Sequence, residues 1–221
     1  MRSEKYKSVI QKIDFTKVKE PEEEYYHSAV LMLLIPIHGE YHIVFEKRSE
    51  NIRQGGEISF PGGKVDQEDP TIEYTAKRET LEELGIPMDQ IQILSRLKTV
   101  KEPLGTKVDG FIGVADISLE DMSPNLDEVE EVFTLPLSYF LENQPERYSV
   151  LVQSVASYED EKTGEEVVLL PVEKLGLPKR YKDPWGTFEK PIYVYETQYG
   201  PIWGLTAKIL YQTMEQIKKQ P

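Results

Sequence analysis

The sequence predicts an α/β (α+β) fold, a mixed β-sheet packed between α-helices as an α/β/α sandwich. Three observations carry that expectation. Two runs rich in Val, Ile, Leu and Phe, from Ser28 to Ile37 and from Tyr41 to Arg48, flank His38-Gly39-Glu40 and read as two strands joined in a hairpin. The segment Thr71 to Leu84 reads as a helix with clear punctuation at both ends. Further apolar runs then alternate with helical stretches, and strands interspersed with a few helices assemble most simply as a sheet between helices.

Taken in order, Tyr6, Val9, Ile10 and Ile13 recur at helical spacing among charged residues and predict a short amphipathic helix. Residues 1–27 are therefore expected to form a helical extension, ahead of a single domain over residues 28–221 that includes a C-terminal extension and helix. At the Thr71 helix, Asp69 can cap, Pro70 sits where its missing N–H costs nothing, Gly85 ends the last turn and Pro87 prevents resumption. Strands are expected over Ile91 to Val100, Val108 to Ile117 and Val129 to Leu135, then a short helix over Pro136 to Leu141. After Asn143 the chain turns polar, with a hairpin flanking Lys162-Thr163-Gly164, an extended "KPIYVYE" and a last helix from about Ile202 to Ile217. Ile202, Leu205, Ile209 and Ile217 give that helix an apolar face. There is no internal repeat or low-complexity tract.

Bulk properties narrow the function. The chain has 221 residues, a net charge of −13 and no cysteine. Such acidity argues against a general grip on nucleic acid or an anionic membrane, so a polyanionic partner must be met by local cations or a metal. Without cysteine, disulfides, thiolate metal sites and cysteine nucleophiles are excluded. The longest apolar run, Ala29 to Ile37, is broken by Pro36 and falls far below a membrane span, and the N-terminus lacks an apolar signal core. A cytoplasmic protein is expected.

Glu79, Glu82 and Glu83 stand at i, i+3 and i+4, so a helix projects all three carboxylates from one side. Like charges so placed destabilise a bare helix by roughly 0.2–0.5 kcal/mol per pair. Arg78 offsets part of that charge, and the natural occupant of the remainder is a hard divalent cation, Mg2+ or Mn2+, which takes oxygen ligands. Pro61-Gly62-Gly63 ahead of the helix lets backbone approach closely, which allows a glycine carbonyl to join the coordination sphere. Glutamates alone would read as a solvated acidic face; the glycine loop and the helix caps shift the balance toward a reactive site.

With these residues in view, the segment resembles a Nudix box, G-x5-E-x7-R-E-U-x-E-E-x-G-U, where U is a bulky apolar residue. Its diagnostic half stands as Arg78-Glu79-Thr80-Leu81-Glu82-Glu83-Leu84-Gly85-Ile86. Counted from Gly63, the loop before Arg78 is one residue longer than the pattern, Glu68 and Asp69 compete for its acidic position, and Thr80 replaces an apolar residue. The resemblance implies a Nudix fold and a hydrolase that cleaves a nucleoside diphosphate derivative by metal-assisted attack of water at phosphorus. It further implies that Glu79, Glu82 and Glu83 bind metal or supply the base, with Gly63 as a backbone ligand and Arg78 as the orienting partner. A base from outside the box is another family solution, for which "DEVEEVF" offers Glu128, Glu130 and Glu131.

Upstream, "VFEKRSENIRQGGEISFPGG" is similar to the signature of coenzyme A pyrophosphatases, L-L-T-x-R-[SA]-x3-R-x3-G-x3-F-P-G-G. Arg48-Ser49, Arg53, Gly56 and Phe60-Pro61-Gly62-Gly63 match in order, with Val44-Phe45-Glu46 in place of Leu-Leu-Thr and one residue fewer before Gly56. This resemblance implies a CoA-like substrate, bound by Arg48, Arg53, Gly62 and Gly63, and the products 4'-phosphopantetheine and 3',5'-ADP. Surface salt bridging is the plain alternative for the two arginines. Rival functions are hydrolysis of ADP-ribose or a dinucleotide, and a non-catalytic Nudix-fold regulator. His27, His38 and His42 lack catalytic or metal-ligand spacing and read as ordinary strand or turn residues. Tyr193, Tyr195, Tyr199 and Trp203 read as core or homodimer packing in preference to an adenine wall.

Overall fold

A computed structural model of the chain describes residues 26–102 and 105–220; the helix expected around Tyr6 to Ile13 lies outside them. The predicted hairpin forms as β1 (Tyr26–Ile37) and β2 (Glu40–Arg48), paired from Leu34 with Ile43 to Ile37 with Glu40. Its two turn residues, His38 and Gly39, both have positive φ (51° and 85°), the conformation whose twist matches paired strands. Strand β1 also pairs antiparallel with β4 (Gly62–Lys64), whereas β3 (Ile58–Ser59) pairs with β2.

Helix α1 (Ile72–Leu84) starts one residue later than expected and is capped by a different residue. The Thr71 hydroxyl accepts from the Tyr74 N–H at 3.0 Å, because the Asp69 carboxylate is engaged by Arg78 and Thr75. Gly85 closes the helix in the left-handed region, with its N–H on the Leu81 carbonyl.

The strand expected over Ile91 to Val100 is divided into β5 (Gln92–Arg96) and β6 (Val100–Glu102), both antiparallel to β7 (Thr106–Val114). Strand β7 in turn runs parallel to β1. Strand β8 (Val129–Pro136) adds to β2, and α2 (Leu137–Glu142) follows it. The result is a mixed eight-stranded sheet in which β1 is central.

Central strands buried on both faces read as continuous apolar runs, which is why Ala29 to Ile35 shows no polar alternation. Ala29, Leu31, Leu33 and Val44 pack with Ala76 and Leu84 of α1 on one face. Met32, Leu34, Phe45 and Phe60 pack on the other with Phe140 of α2 and with Ile209 and Leu210 of the last helix, α3 (Gly204–Ile217). Each fully buried side chain of this size contributes roughly 1.5–3 kcal/mol. Helices on both faces complete the α/β/α sandwich.

The C-terminal third holds more strand than its composition suggests. A three-stranded sheet forms from β9 (Glu146–Ser154), β12 (Trp185–Thr197) and β13 (Gly200–Trp203), and β10 (Ser157–Glu159) pairs with β11 (Glu166–Val168) around Lys162-Thr163-Gly164. Ile202 ends up in β13 instead of the last helix. Tyr195 is buried against Phe140, Tyr199 stacks on Phe133 and Tyr193 on Tyr211, so three of the four aromatic residues are packing residues; Trp203 is not. Among the described residues no helix is long and apolar enough to cross a membrane.

A buried carboxylate braces three adjacent strands. Asp109 of β7 is inaccessible to solvent and meets His27 of β1 at 2.7 Å, Arg96 of β5 at 2.6 Å, Lys107 at 3.5 Å and the Thr99 hydroxyl. Burial alone raises a carboxyl pKa; here the bonds from Arg96, Thr99 and His27 outweigh it and hold Asp109 well below the usual range. A depressed carboxyl contributes stability above its unfolded pKa of about 4 and loses it as pH falls toward the folded value. Asp109→Asn is expected to cost about 2 kcal/mol at pH 7, less than a fully buried pair because Arg96 is half exposed. In urea titrations the gap between the two proteins should hold from pH 7 to about pH 5 and shrink below about pH 4.

Candidate active site

Arg78 organises the segment between β4 and α1. Its Nε and Nη2 donate to the two oxygens of Asp69, both at 3.0 Å, and Nη2 also donates to the Lys64 carbonyl at 3.1 Å. Nη1 pairs with Glu79 and Glu82, each at 2.9 Å. One planar group therefore ties the loop to the helix, a geometry a guanidinium offers and an ammonium does not. Hydrogen bonds from Arg78 hold Asp69 down to about 2. Of the two acidic candidates in the loop, Asp69 is consumed by this ion pair, whereas Glu68 is exposed.

The two glycines take the remaining carboxylates. A Cβ on Gly63 would lie 2.4–2.7 Å from the carboxylate atoms of Glu79, so only glycine admits that carboxylate beside the backbone. Gly62 donates its N–H to Glu83 Oε2 at 2.7 Å, and the Arg48 guanidinium stands 3.8 Å from Glu83 Oε1. Arg48 also reaches Glu46 at 3.4 Å, a residue of β2 that is fully buried and whose Oε2 has no hydrogen-bond partner among the described residues.

Burial pushes the Glu83 carboxyl up, and the nearby Glu46 pushes it further, against the opposing Gly62 N–H. Burial likewise raises Glu46, with the Ser59 hydroxyl opposing, and raises Glu79 against Arg78. Carboxylates buried with so little positive charge are what a hard cation offsets.

The expected convergence of three glutamates is only partly met. Glu79 and Glu83 turn to the glycine pair, whereas Glu82 lies half exposed on Arg78, and among the described residues no three His, Asp or Glu side chains form a closed cage. Arg78 accounts for this by drawing Glu79 and Glu82 onto one nitrogen while the Gly62 N–H draws Glu83 away.

Of the three residues in "DEVEEVF", Glu130 is paired with Lys47 at 2.7 Å and Glu131 is exposed. Glu128 is half buried and adds to the repulsion felt by both Glu46 and Glu79, which places its charge toward the candidate site. Glu46 was not among the residues singled out from sequence. The available signal is strand periodicity: Val44, Glu46 and Arg48 share one face of β2, and Val44 on that face packs in the cluster that includes α1.

A cleft of about 360 Å3 begins at Gly62 and Gly63 and crosses the sheet on the α3 side, with Arg48, Arg53, Lys190 and Trp203 on its walls. Arg53 lies over the Tyr26 ring at 5.1 Å, and no carboxylate pairs with it among the described residues. Among the described residues surface salt bridging thus accounts for Arg48, which meets Glu46 and Glu83, and not for Arg53. A larger cavity of about 550 Å3, between α3 and β5, holds none of the α1 carboxylates.

A glycine turn joined through one arginine to a glutamate-bearing helix, packed on one face of a mixed sheet, is the arrangement of a Nudix domain. The chain belongs to the NUDIX family, whose domain matches residues 25–190. It is 37% identical over 125 residues to the mitochondrial coenzyme A diphosphatase NUDT8 of Homo sapiens, covering 55% of this chain and 53% of that protein. It is 35% identical over 144 residues to the peroxisomal coenzyme A diphosphatase NUDT7 of Mus musculus, covering 62% and 61%. It is 30% identical over 193 residues to the uncharacterized Nudix hydrolase NudL of Photorhabdus laumondii, covering 87% and 85%. The chain thus spans little more than half the length of the two diphosphatases.

Arg78→Lys leaves a single ammonium where the guanidinium makes five short contacts and a longer one to Asp66 at 3.7 Å. Hydrogen exchange followed by NMR should show the Asp66 amide, which donates to Asp69 at 3.1 Å, opening about tenfold faster. The Gly62 amide, held by Glu83, should keep its protection and serves as the internal control.

Proposed function

We propose that this protein is a divalent-metal-dependent pyrophosphohydrolase that cleaves the diphosphate of coenzyme A or acyl-CoA to 3',5'-ADP and 4'-phosphopantetheine or its acyl form. The observation that carries the reading is the seating of a partly buried carboxylate, Glu79, and a buried one, Glu83, on Gly63 and Gly62 at the head of a cleft that also presents Arg48 and Arg53. The match of Arg48-Ser49, Arg53, Gly56 and Phe60-Pro61-Gly62-Gly63 to the CoA pyrophosphatase signature supports the choice of substrate, as do the printed names of the two diphosphatases.

The donor set suits Mg2+ or Mn2+: Glu79, Glu83 and the Gly63 carbonyl are hard oxygen ligands, with Glu82 within reach on the same helix. Such an ion, when bound, offsets the diphosphate charge and lowers the pKa of coordinated water. Arg78 holds the loop and helix in register. Arg48 and Arg53 pair with phosphate oxygens and orient the substrate. Glu128 accepts the proton of the attacking water as its oxygen bonds to phosphorus and the bridging P–O bond breaks, leaving two phosphomonoesters.

Products should be followed for CoA, acyl-CoA, ADP-ribose and dinucleotides with Mg2+ and with Mn2+. CoA or acyl-CoA is expected to be turned over fastest; rapid ADP-ribose hydrolysis beside idle CoA would reject the proposed substrate. Glu83→Gln and Glu79→Gln should each lower kcat roughly 100-fold or more at unchanged secondary structure. Glu130→Gln should leave it unaltered, because Glu130 is occupied by Lys47.

A further inference from the structure

The far end of the cleft is furnished in a way that the cleavage groups do not explain. From Gly62 and Gly63 in β4 the cleft passes β1 and β7 to reach Glu102 in β6, three strand spacings or about 14 Å. Beyond the diphosphate, that span has room for a further portion of the substrate. Trp203 stands on the cleft wall, 45% exposed, while its neighbour Ile202 is fully buried. It is the last residue of β13, paired with Val194, and it caps α3, so its backbone is fixed on both sides. Among the described residues no other ring packs on it, in contrast to Trp185, which meets Tyr181 edge to face at 5.4 Å.

The same wall carries Lys190 of β12. Its ammonium is paired with Glu102, a buried carboxylate that also binds Lys208 of α3 at 2.7 Å. Two lysines on one carboxylate leave a net positive charge, and Lys190 is the one that faces the cleft.

We infer that Trp203 is the platform on which the heteroaromatic base of the substrate's nucleoside stacks, with Lys190 as the cation facing the phosphate-bearing sugar beside it. An indole held at its backbone and open on the cleft side offers a stacking face at little ordering cost. A cation on the same wall suits a nucleotide better than an apolar acyl chain. The inference rests on the diphosphatase reading for the identity of the nucleoside, 3',5'-phosphoadenosine, but its test does not require catalysis.

The protein has two tryptophans. In a Trp185→Phe background, emission therefore comes from Trp203 alone, and the titration is run in EDTA with 3',5'-ADP and, separately, with the ring-free 4'-phosphopantetheine. Saturable quenching by the first and none by the second is expected. Equal responses, or no response to 3',5'-ADP while calorimetry shows it bound, would overturn the platform. By calorimetry, Trp203→Ala should bind 3',5'-ADP about tenfold more weakly, and Trp203→Phe should recover most of that loss. Unchanged affinity in Trp203→Ala, or equal losses in both variants, would also overturn it. Lys190→Met should weaken 3',5'-ADP more than adenosine; equal weakening removes Lys190 from the assignment. If the wild type quenches with 3',5'-ADP yet leaves CoA and acyl-CoA intact, the substrate reading fails and the platform stands. If CoA is cleaved and Trp203→Ala retains the wild-type KM, the platform fails alone.

Discussion

Arg78 donates to Asp69 and Lys64 in the loop and to Glu79 and Glu82 on its own helix, and the positions of the glycine pair and the glutamates depend on that bond set. Without a cation at this point, three carboxylates would repel one another across the junction of loop and helix. With it, the junction is fixed closely enough for Glu79 to occupy the space where a Gly63 side chain would be. The cost is that Glu82 is drawn to the surface and Glu83 is left buried, beside Glu46, with one shared arginine.

That imbalance has a reactive character. A protein interior tolerates a buried carboxylate when hydrogen bonds or counter-charge satisfy it, and Asp109 and Glu102 show how this chain does so elsewhere, with Arg96, Lys107, His27 and Thr99 around one and two lysines around the other. Glu46 and Glu83 receive far less, namely Ser59, Gly62 and Arg48. Under-compensated carboxylates at one place and well-compensated ones at two others set the region around Glu46 and Glu83 apart electrostatically from the rest of the described fold.

Much of the fold was legible because local signals are strong where the chain punctuates itself. The β1–β2 hairpin followed from two apolar runs around His38-Gly39, and α1 from the Pro and Gly residues at its ends. Asp69 was misread as the cap because sequence displays its distance from the helix but not the competing arginine nine residues on. The division between β5 and β6 and the existence of β9 were not legible: both depend on partners far along the chain, and β9 is largely exposed beside β12, with no buried face to give it a pattern. Of the candidate site, the helical glutamates, Arg78 and the glycines were readable from spacing. Glu46 and Glu128 acquire their neighbours only when β2, β8 and α1 are brought together.

The wall that carries Trp203 and the helix that carries Glu79 and Glu83 come from stretches of chain with no residue in common, and Glu102 is the rivet between the later stretch and the main sheet. On the proposed reading, such a division uncouples recognition from bond breaking. Drift in the C-terminal third would then alter which molecules are admitted, while the carboxylates anchored on α1 would need no retuning. Redesign of selectivity in this scaffold therefore has a natural starting place, the residues around 185–206, and a natural boundary, the lysine pair that keeps them seated.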